Sequence, residues 1–331
     1  MQELFQGILA MNFGSLVMMA IGGVLIYLAI AKDYEPMLLL PIGFGAILAN
    51  IPFSSAIGGD GFLSVLYNAG IKNELFPVLI FIAVGAMIDF GPLLQNPFML
   101  FFGAAAQFGI FATMLASLFL GDWLKELGLG INIGLKEAAA IGIIGAADGP
   151  TAIYVANKFA KDLLGPIAVA AYSYMSLVPI IQPPVIKALT TKRERMIRME
   201  TREVKVPKIV KILFPILVTV VAGIIAPISV ALVGALMFGN LIRECGVLER
   251  LSKAAQNELA NLVTLMLGIS IGSTMIADKF LNPATILILI LGLVAFVFDT
   301  AGGVLFAKLL NLFLKKKVNP MVGAAGISAF P

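Results

Sequence analysis

Apolar residues run through this chain in long blocks, and the polar positions between them are few and short. The blocks fall at about 11–32, 37–52, 75–95, 97–121, 136–159, 162–183, 209–227, 229–245, 261–277, 284–308 and 318 to the end. A helix that crosses a bilayer needs roughly 17 to 25 mostly apolar residues. The pattern therefore predicts an all-α, polytopic membrane protein of about 9–11 helical segments. Several blocks carry helix breakers and are predicted to be interrupted: Pro41, Gly43 and Gly45 in the second, Ala147-Asp148-Gly149-Pro150 in the fifth, and Asn319-Pro320 in the last.

The two halves echo one another. Ile144-Gly145-Ala146-Ala147-Asp148-Gly149-Pro150 aligns with Val322-Gly323-Ala324-Ala325-Gly326-Ile327-Ser328 at an offset of 178. Gly85-Ala86-Met87-Ile88-Asp89, followed by Asn96-Pro97, resembles Gly272-Ser273-Thr274-Met275-Ile276-Ala277-Asp278 with Asn282-Pro283. A weaker pair is Gly45-Ala46-Ile47-Leu48 with Gly234-Ala235-Leu236-Met237. Membrane helices rich in small residues resemble each other by default, but three pairs in one order favour duplication. The expected organisation is residues 1–183 as a first membrane repeat plus one additional helix, 184–208 as a basic cytoplasmic loop, and 209–331 as a second repeat.

The composition supports lipid as the main solvent: 60% of the 331 residues are hydrophobic and 13% charged, at a mean hydropathy of +1.01. The single cysteine, Cys245, excludes an intrachain disulfide, and the absence of histidine removes the usual proton carrier near neutral pH. The net charge of +4 is local, because nine Lys or Arg and three Glu lie between Pro184 and Lys211, leaving the rest of the chain at −2. No nucleic-acid partner is expected from such a pattern. The positive-inside rule places this segment in the cytoplasm. Arg243, Arg250, Lys253, Lys308 and Lys315-Lys316-Lys317 would then share that side, whereas the matching first-half segment Ser54–Asn73 has one base, Lys72. The two repeats are thus expected to be inverted, with their broken helices meeting near the bilayer midplane, although Lys125 and Lys136 fit this poorly.

Asp148 is the first candidate for chemistry. A carboxylate at bilayer depth is costly unless it is paired or wet, and the Gly149-Pro150 break beside it frees backbone carbonyls, a donor set that suits a hard cation such as sodium. It is also a natural cap for a helix beginning at Gly149, and capping alone or capping with function both stand. Asn319, Gly323 and Ser328 offer neutral partners on the matching element, or else a small-residue packing face. Tyr172 and Tyr174 lie 24 and 26 residues after Asp148, a spacing that suits a neighbouring antiparallel helix. Residues two apart do not share a helix face, so at most one should point at Asp148; an interfacial aromatic belt is the competing reading. Asp299 is open between site and packing, and Asp89 and Asp278 read as caps or interfacial charges.

Taken together, Gly145-Ala146-Ala147-Asp148-Gly149-Pro150-Thr151-Ala152-Ile153-Tyr154, the segments at 169–184 and 267–281, and 319–331 resemble the β subunit of the biotin-dependent, sodium-pumping decarboxylases, which act on oxaloacetate, methylmalonyl-CoA or glutaconyl-CoA. The resemblance spans essentially the whole chain. It implies a membrane subunit that decarboxylates carboxybiotin and exports sodium while consuming a proton. Asp148, Tyr172 and Tyr174 would be its catalytic residues, and Asp148, Asn319, Gly323 and Ser328 its sodium-binding residues. Sodium and biotin carried by a separate subunit are the implied ligands. Carboxyltransferase and biotin-carrier subunits, a small membrane-anchored subunit and further copies of the chain are the implied partners, in the inner (cytoplasmic) membrane. The family's pattern continues past Pro331 to an arginine linked with function, so the resemblance implies a truncated C-terminal end. A sodium/proton secondary transporter without decarboxylase activity is the alternative reading.

Overall fold

The computed structural model describes residues 6–7, 9–126, 133–199 and 206–326. Among these residues the chain is helical, without strands. Eleven α-helices of eight residues or more follow in order: α1 (Phe13–Lys32), α2 (Pro36–Asn50), α3 (Leu75–Met87), α4 (Phe108–Glu126), α5 (Leu135–Gly142), α6 (Gly149–Phe159), α7 (Leu164–Leu189), α8 (Lys208–Ile225), α9 (Val230–Cys245), α10 (Ala260–Gly272) and α11 (Pro283–Leu310). Five continuous helical stretches are long and apolar enough to cross a membrane: Phe13–Lys32, Pro97–Glu126, Lys208–Ile225, Pro227–Cys245 and Pro283–Leu310. Two bent pairs raise the number to as many as seven: Phe62–Lys72 with Leu75–Met87, bent by 62°, and Lys161–Met175 with Ile180–Leu189, bent by 68°.

The outer faces are those of helices solvated by hydrocarbon. On α4, Phe111, Leu115, Phe119 and Trp123 are exposed at a spacing of four, while Gly109, Thr113, Ser117 and Gly121 form the buried stripe opposite. On α8 only Pro215 is buried, and Leu213, Leu217, Val220, Ile224 and Ile225 face outward. Lipid gives these faces no reason to seek a protein partner, so helix association must come from close van der Waals fit.

That fit is made by glycine at each main crossing. A side chain at Gly22 of α1 would strike the Gly43 carbonyl of α2, and one at Gly43 would strike the Gly22 carbonyl. Gly45 of α2 meets Gly272 of α10 in the same way, and Gly85 of α3 lies against α9 beside Gly239. The second and third crossings share an end fitting. Asn50, at the end of α2, donates to the Met275 carbonyl (2.7 Å) and accepts from the Ala277 N–H (3.1 Å), just past the end of α10. Asn240 of α9 donates to the Ile88 carbonyl (2.9 Å), just past the end of α3. Both asparagines are buried. The π-helical turns Tyr67–Ile71 and Ala255–Leu259 also occupy matching places, shortly ahead of α3 and directly ahead of α10.

One predicted interruption is absent. Pro36–Asn50 is a continuous helix with Pro41 inside it, and Pro41 is buried against Gly268 of α10, where a Cβ would sit 3.0 Å from the proline ring. Packing of the ring offsets the hydrogen bond that proline removes. The break at 147–148 is real, and α7 continues to Leu189, past the residue where the basic loop was expected to start.

Candidate functional site

The site begins where one helix fails and another starts. After α5 the chain tightens into a 3₁₀ turn, Ile143–Ala146, and Ala147 then adopts φ +55°, a left-handed conformation that ends the helix. Asp148 returns to an extended conformation and caps α6, with Pro150 in the first turn, where its missing N–H costs nothing. Its Oδ1 accepts the Thr151 N–H (3.2 Å) and its Oδ2 the Thr151 hydroxyl (2.6 Å). The two flanking residues are buried, but Asp148 itself is half-buried. A carboxylate has about four acceptor positions, so Thr151 leaves room on both oxygens. The helix N-terminus also holds negative charge in place. Capping is therefore an observed role of Asp148, and it is compatible with holding a small ion.

Tyr172 of α7 lies directly over this break. Its ring occupies the space that a Gly149 side chain would fill. Tyr172 is 0% exposed, and its hydroxyl has no hydrogen-bond partner among the described residues. Buried hydroxyls are normally satisfied, and this one belongs to the side chain that covers the Gly149 step. Tyr174 points elsewhere: its hydroxyl donates to the Leu289 carbonyl of α11, and its ring meets Gly292. The two tyrosines thus divide between two helices, as their spacing requires.

The second broken element holds its own set of contacts. Asn319 is buried; it donates to the carbonyls of Arg195 (3.0 Å) and Ile197 (3.1 Å) and accepts from the Met321 N–H (3.1 Å). It thereby ties the basic segment to the 3₁₀ turn Pro320–Gly326. Gly323 lies backbone to backbone with Gly303 of α11, and Gln182 of α7 donates to the Ala324 carbonyl (3.0 Å). No hydrogen bond of Asn319 runs to Asp148. Ser328 lies outside the described residues. The structure therefore groups Asp148, Thr151 and Tyr172, and it groups Asn319 and Gly323 with α11 and the basic segment. Thr151 was missed in the sequence, although its place three residues after a capping Asp is the position that such a cap bonds.

Among the described residues no three or more His, Cys, Asp or Glu side chains converge, and the oxygens joined at the break are those of the Asp148 carboxylate and the Thr151 hydroxyl. Asp89, at the end of α3, accepts the Gly91 N–H (2.8 Å) and pairs with Lys211 (3.5 Å), which makes it a capped surface charge.

Comparison with known proteins sets this geometry in context. The family model described as the Na+-transporting oxaloacetate decarboxylase beta subunit matches residues 14–331. The probable oxaloacetate decarboxylase beta chain of Vibrio cholerae is 46% identical, over 98% of this chain and 87% of that one. The glutaconyl-CoA decarboxylase subunit beta of Acidaminococcus fermentans is 51% identical, over 98% of this chain and 83% of its own. The methylmalonyl-CoA decarboxylase subunit beta of Propionigenium modestum is 48% identical, over 98% and 85%. A match over nearly the full length, on a helical chain with several apolar helices able to span a membrane, shows that the chain belongs to the family of the Na+-transporting oxaloacetate decarboxylase beta subunit.

Proposed function

We propose that this membrane decarboxylase subunit acts on carboxybiotin delivered by a separate biotin-carrier subunit, and that CO2 release drives sodium outward while a proton is consumed. Asp148 holds sodium as a carboxylate and takes up a proton when the sodium leaves. Burial favours the neutral acid and a bound cation favours the carboxylate, so one side chain serves both states. Tyr172 relays or stabilises that proton. One observation carries this reading: half-buried Asp148 caps a broken helix at the Gly149 step that the Tyr172 ring covers, and the Tyr172 hydroxyl has no hydrogen-bond partner among the described residues. Moving one charge against the membrane potential costs about 2.3 kcal/mol per 100 mV, so transport needs the coupled decarboxylation.

Asn319, Gly323 and Ser328 complete the cation path in this reading, with the 3₁₀ turn Pro320–Gly326 closing on the Asp148 element in another state of the cycle. Two membrane repeats of opposite orientation rock about the α2–α10 and α3–α9 crossings, and the matched roles of Asn50 and Asn240 support their common origin. The partners are a carboxyltransferase, which sets the carboxylic acid donor, a biotin carrier, a small membrane-anchored subunit and further copies of this chain. The site is the inner membrane, with the basic segment cytoplasmic. The relatives' names differ in the donor, which accords with donor choice residing outside this subunit.

Asp148→Asn in the reconstituted complex tests the scheme. Both sodium-stimulated CO2 release from carboxybiotin and sodium uptake into inverted vesicles should be lost. Sodium-stimulated turnover that survives in this variant sinks it. Sodium/proton exchange without CO2 release in the wild-type complex would instead establish the secondary-transporter alternative.

A further inference from the structure

Asp299 lies in the middle of α11 and is 1% exposed. Its Oδ1 accepts the Ile110 N–H (3.1 Å) near the start of α4. Its Oδ2 has no hydrogen-bond partner among the described residues. Two glycines make room for it: a side chain at Gly109 would strike Oδ1, and one at Gly145 would strike Oδ2. Gly145 belongs to the 3₁₀ turn Ile143–Ala146, three residues ahead of Asp148. Thr113 lies one turn beyond Gly109 on the same face of α4, and its hydroxyl oxygen is likewise buried without a partner.

A buried, unpaired carboxylate is a far more expensive species than a buried neutral acid. Among the described residues the Asp299 carboxyl accepts the Ile110 N–H and lies against Gly109 and Gly145. Among the described residues the elements packed on it bring no counter-ion to this depth. Asp122, Lys125 and Glu126 are exposed at the far end of α4, Lys136 and Glu137 stand in the first turn of α5, and Lys187 lies in the last turn of α7. Tyr172 and Tyr174 of α7 are directed at Gly149 and Leu289. The segments Leu100–Ala106 and Pro320–Gly326 carry no ionisable side chain.

We infer that Asp299 is a second intramembrane proton-binding site, seated between Gly109 and Gly145 and moved in step with Asp148 by the 3₁₀ turn Ile143–Ala146. The inference rests on the sodium-pump reading of Asp148. On this inference the Asp299 acid stays neutral while Gly145 covers Oδ2. A shift of the 3₁₀ turn when the ion at Asp148 is exchanged moves Gly145 off Oδ2 and admits water; the acid O–H bond then breaks, and it re-forms when a proton enters. No electron moves, and the proton consumed in CO2 release balances the one taken up.

The test compares wild-type, Asp299→Asn, Asp299→Glu and Asp148→Asn complexes in vesicles, reading thermal stabilisation by sodium, the pH profile of CO2 release, and proton uptake per turnover with a pH dye. Asp299→Asn keeps the size and the Ile110 acceptor but cannot release a carboxyl proton. It should keep its stabilisation by sodium, lose about 100-fold in turnover, and show a flattened pH profile, with partial rescue in Asp299→Glu. A wild-type pH profile and proton uptake in Asp299→Asn overturn the inference and leave Asp299 a packing residue. If Asp299→Asn does not assemble, sodium-induced infrared difference spectra of the wild-type complex decide. Two protonated-carboxyl bands should change; a single band, absent in Asp148→Asn, overturns the inference. Retained sodium stabilisation in Asp148→Asn would count against the Asp148 reading alone, because the Asp299 comparison stands on its own profile.

Discussion

Asp148 and Thr151 form a closed pair in which one carboxylate receives both the backbone N–H and the side-chain hydroxyl of the same residue, at 3.2 and 2.6 Å. The N–H contact is an ordinary helix cap. The hydroxyl contact adds a second donor that fixes the carboxylate's rotation and so its remaining lone pairs. A hydrogen bond to a charged group contributes about 1.5–3 kcal/mol. Thr151→Val keeps the cap and removes the hydroxyl, so half-saturation by sodium should rise about tenfold or more, with Thr151→Ser close to wild type. Sodium titration of CO2 release measures this. An unchanged sodium requirement in Thr151→Val would confine Thr151 to a structural role.

The tyrosine pair predicts a dissociation between stability and activity. Tyr172 has no hydroxyl partner to lose, so Tyr172→Phe should leave the thermal midpoint almost unchanged while slowing turnover. Tyr174 donates to the Leu289 carbonyl, so Tyr174→Phe should cost about 1 kcal/mol of stability with a smaller effect on turnover. Thermal unfolding in detergent beside CO2 release separates the two. The reverse pattern would assign the proton-handling role to Tyr174.

Several features of the site were legible because they break a local rule. An acid followed by Gly-Pro inside an apolar run announces a helix interruption, and the two-residue separation of Tyr172 and Tyr174 already implied that they diverge. Pro41 misled for the opposite reason: a tertiary contact with Gly268 accommodates a residue that local chemistry marks as a breaker. The partners of Asn319 were hidden, because its hydrogen bonds reach residues 122 and 124 positions away, and no periodicity encodes such a contact. The π-helical turns were also invisible, since a shift from i→i+4 to i→i+5 bonding leaves no mark in composition. Nothing in the apolar pattern sets Asn50 and Asn240 apart; the crossing of α2 with α10 and of α3 with α9 gives them a task.

That shared task yields a paired prediction. Asn50→Ala strips partners from the Met275 carbonyl and the Ala277 N–H, and Asn240→Ala strips one from the Ile88 carbonyl. Unsatisfied buried groups cost about 1–3 kcal/mol each, so both variants should lower the thermal midpoint, Asn50→Ala by more. Gly272→Ala should be worse than either, because its methyl would meet the α2 backbone rather than a side chain that can move. A midpoint for Asn50→Ala equal to wild type would show that the clamp does not hold the crossing together.

The basic segment is fastened by a small polar knot with its own pH signature. Glu194 accepts the Thr191 N–H (2.6 Å) and hydroxyl (2.9 Å) and pairs with Lys308 at the end of α11 (3.3 Å). The Thr191 N–H, then its hydroxyl, then Lys308 hold the Glu194 carboxyl below its ordinary range. Its folded-state value lies under its unfolded one, so its contribution is complete above the unfolded carboxylate range of about 4.3. It is lost as the pH falls through the depressed folded value. Lys308 also donates to the Leu189 carbonyl, and Asn319 donates to Arg195 and Ile197, so acidification should loosen this end of the knot without freeing it. Protease cleavage between Thr190 and Lys211 should therefore stay slow from neutral pH down to about 4.3 and accelerate below it. Glu194→Gln should cleave faster already at neutral pH and lose the acid-dependent step. Asn319→Ala should cleave faster at every pH and keep that step, since its contacts carry no titrating group. An acid step that persists unchanged in Glu194→Gln would place the switch on another carboxylate.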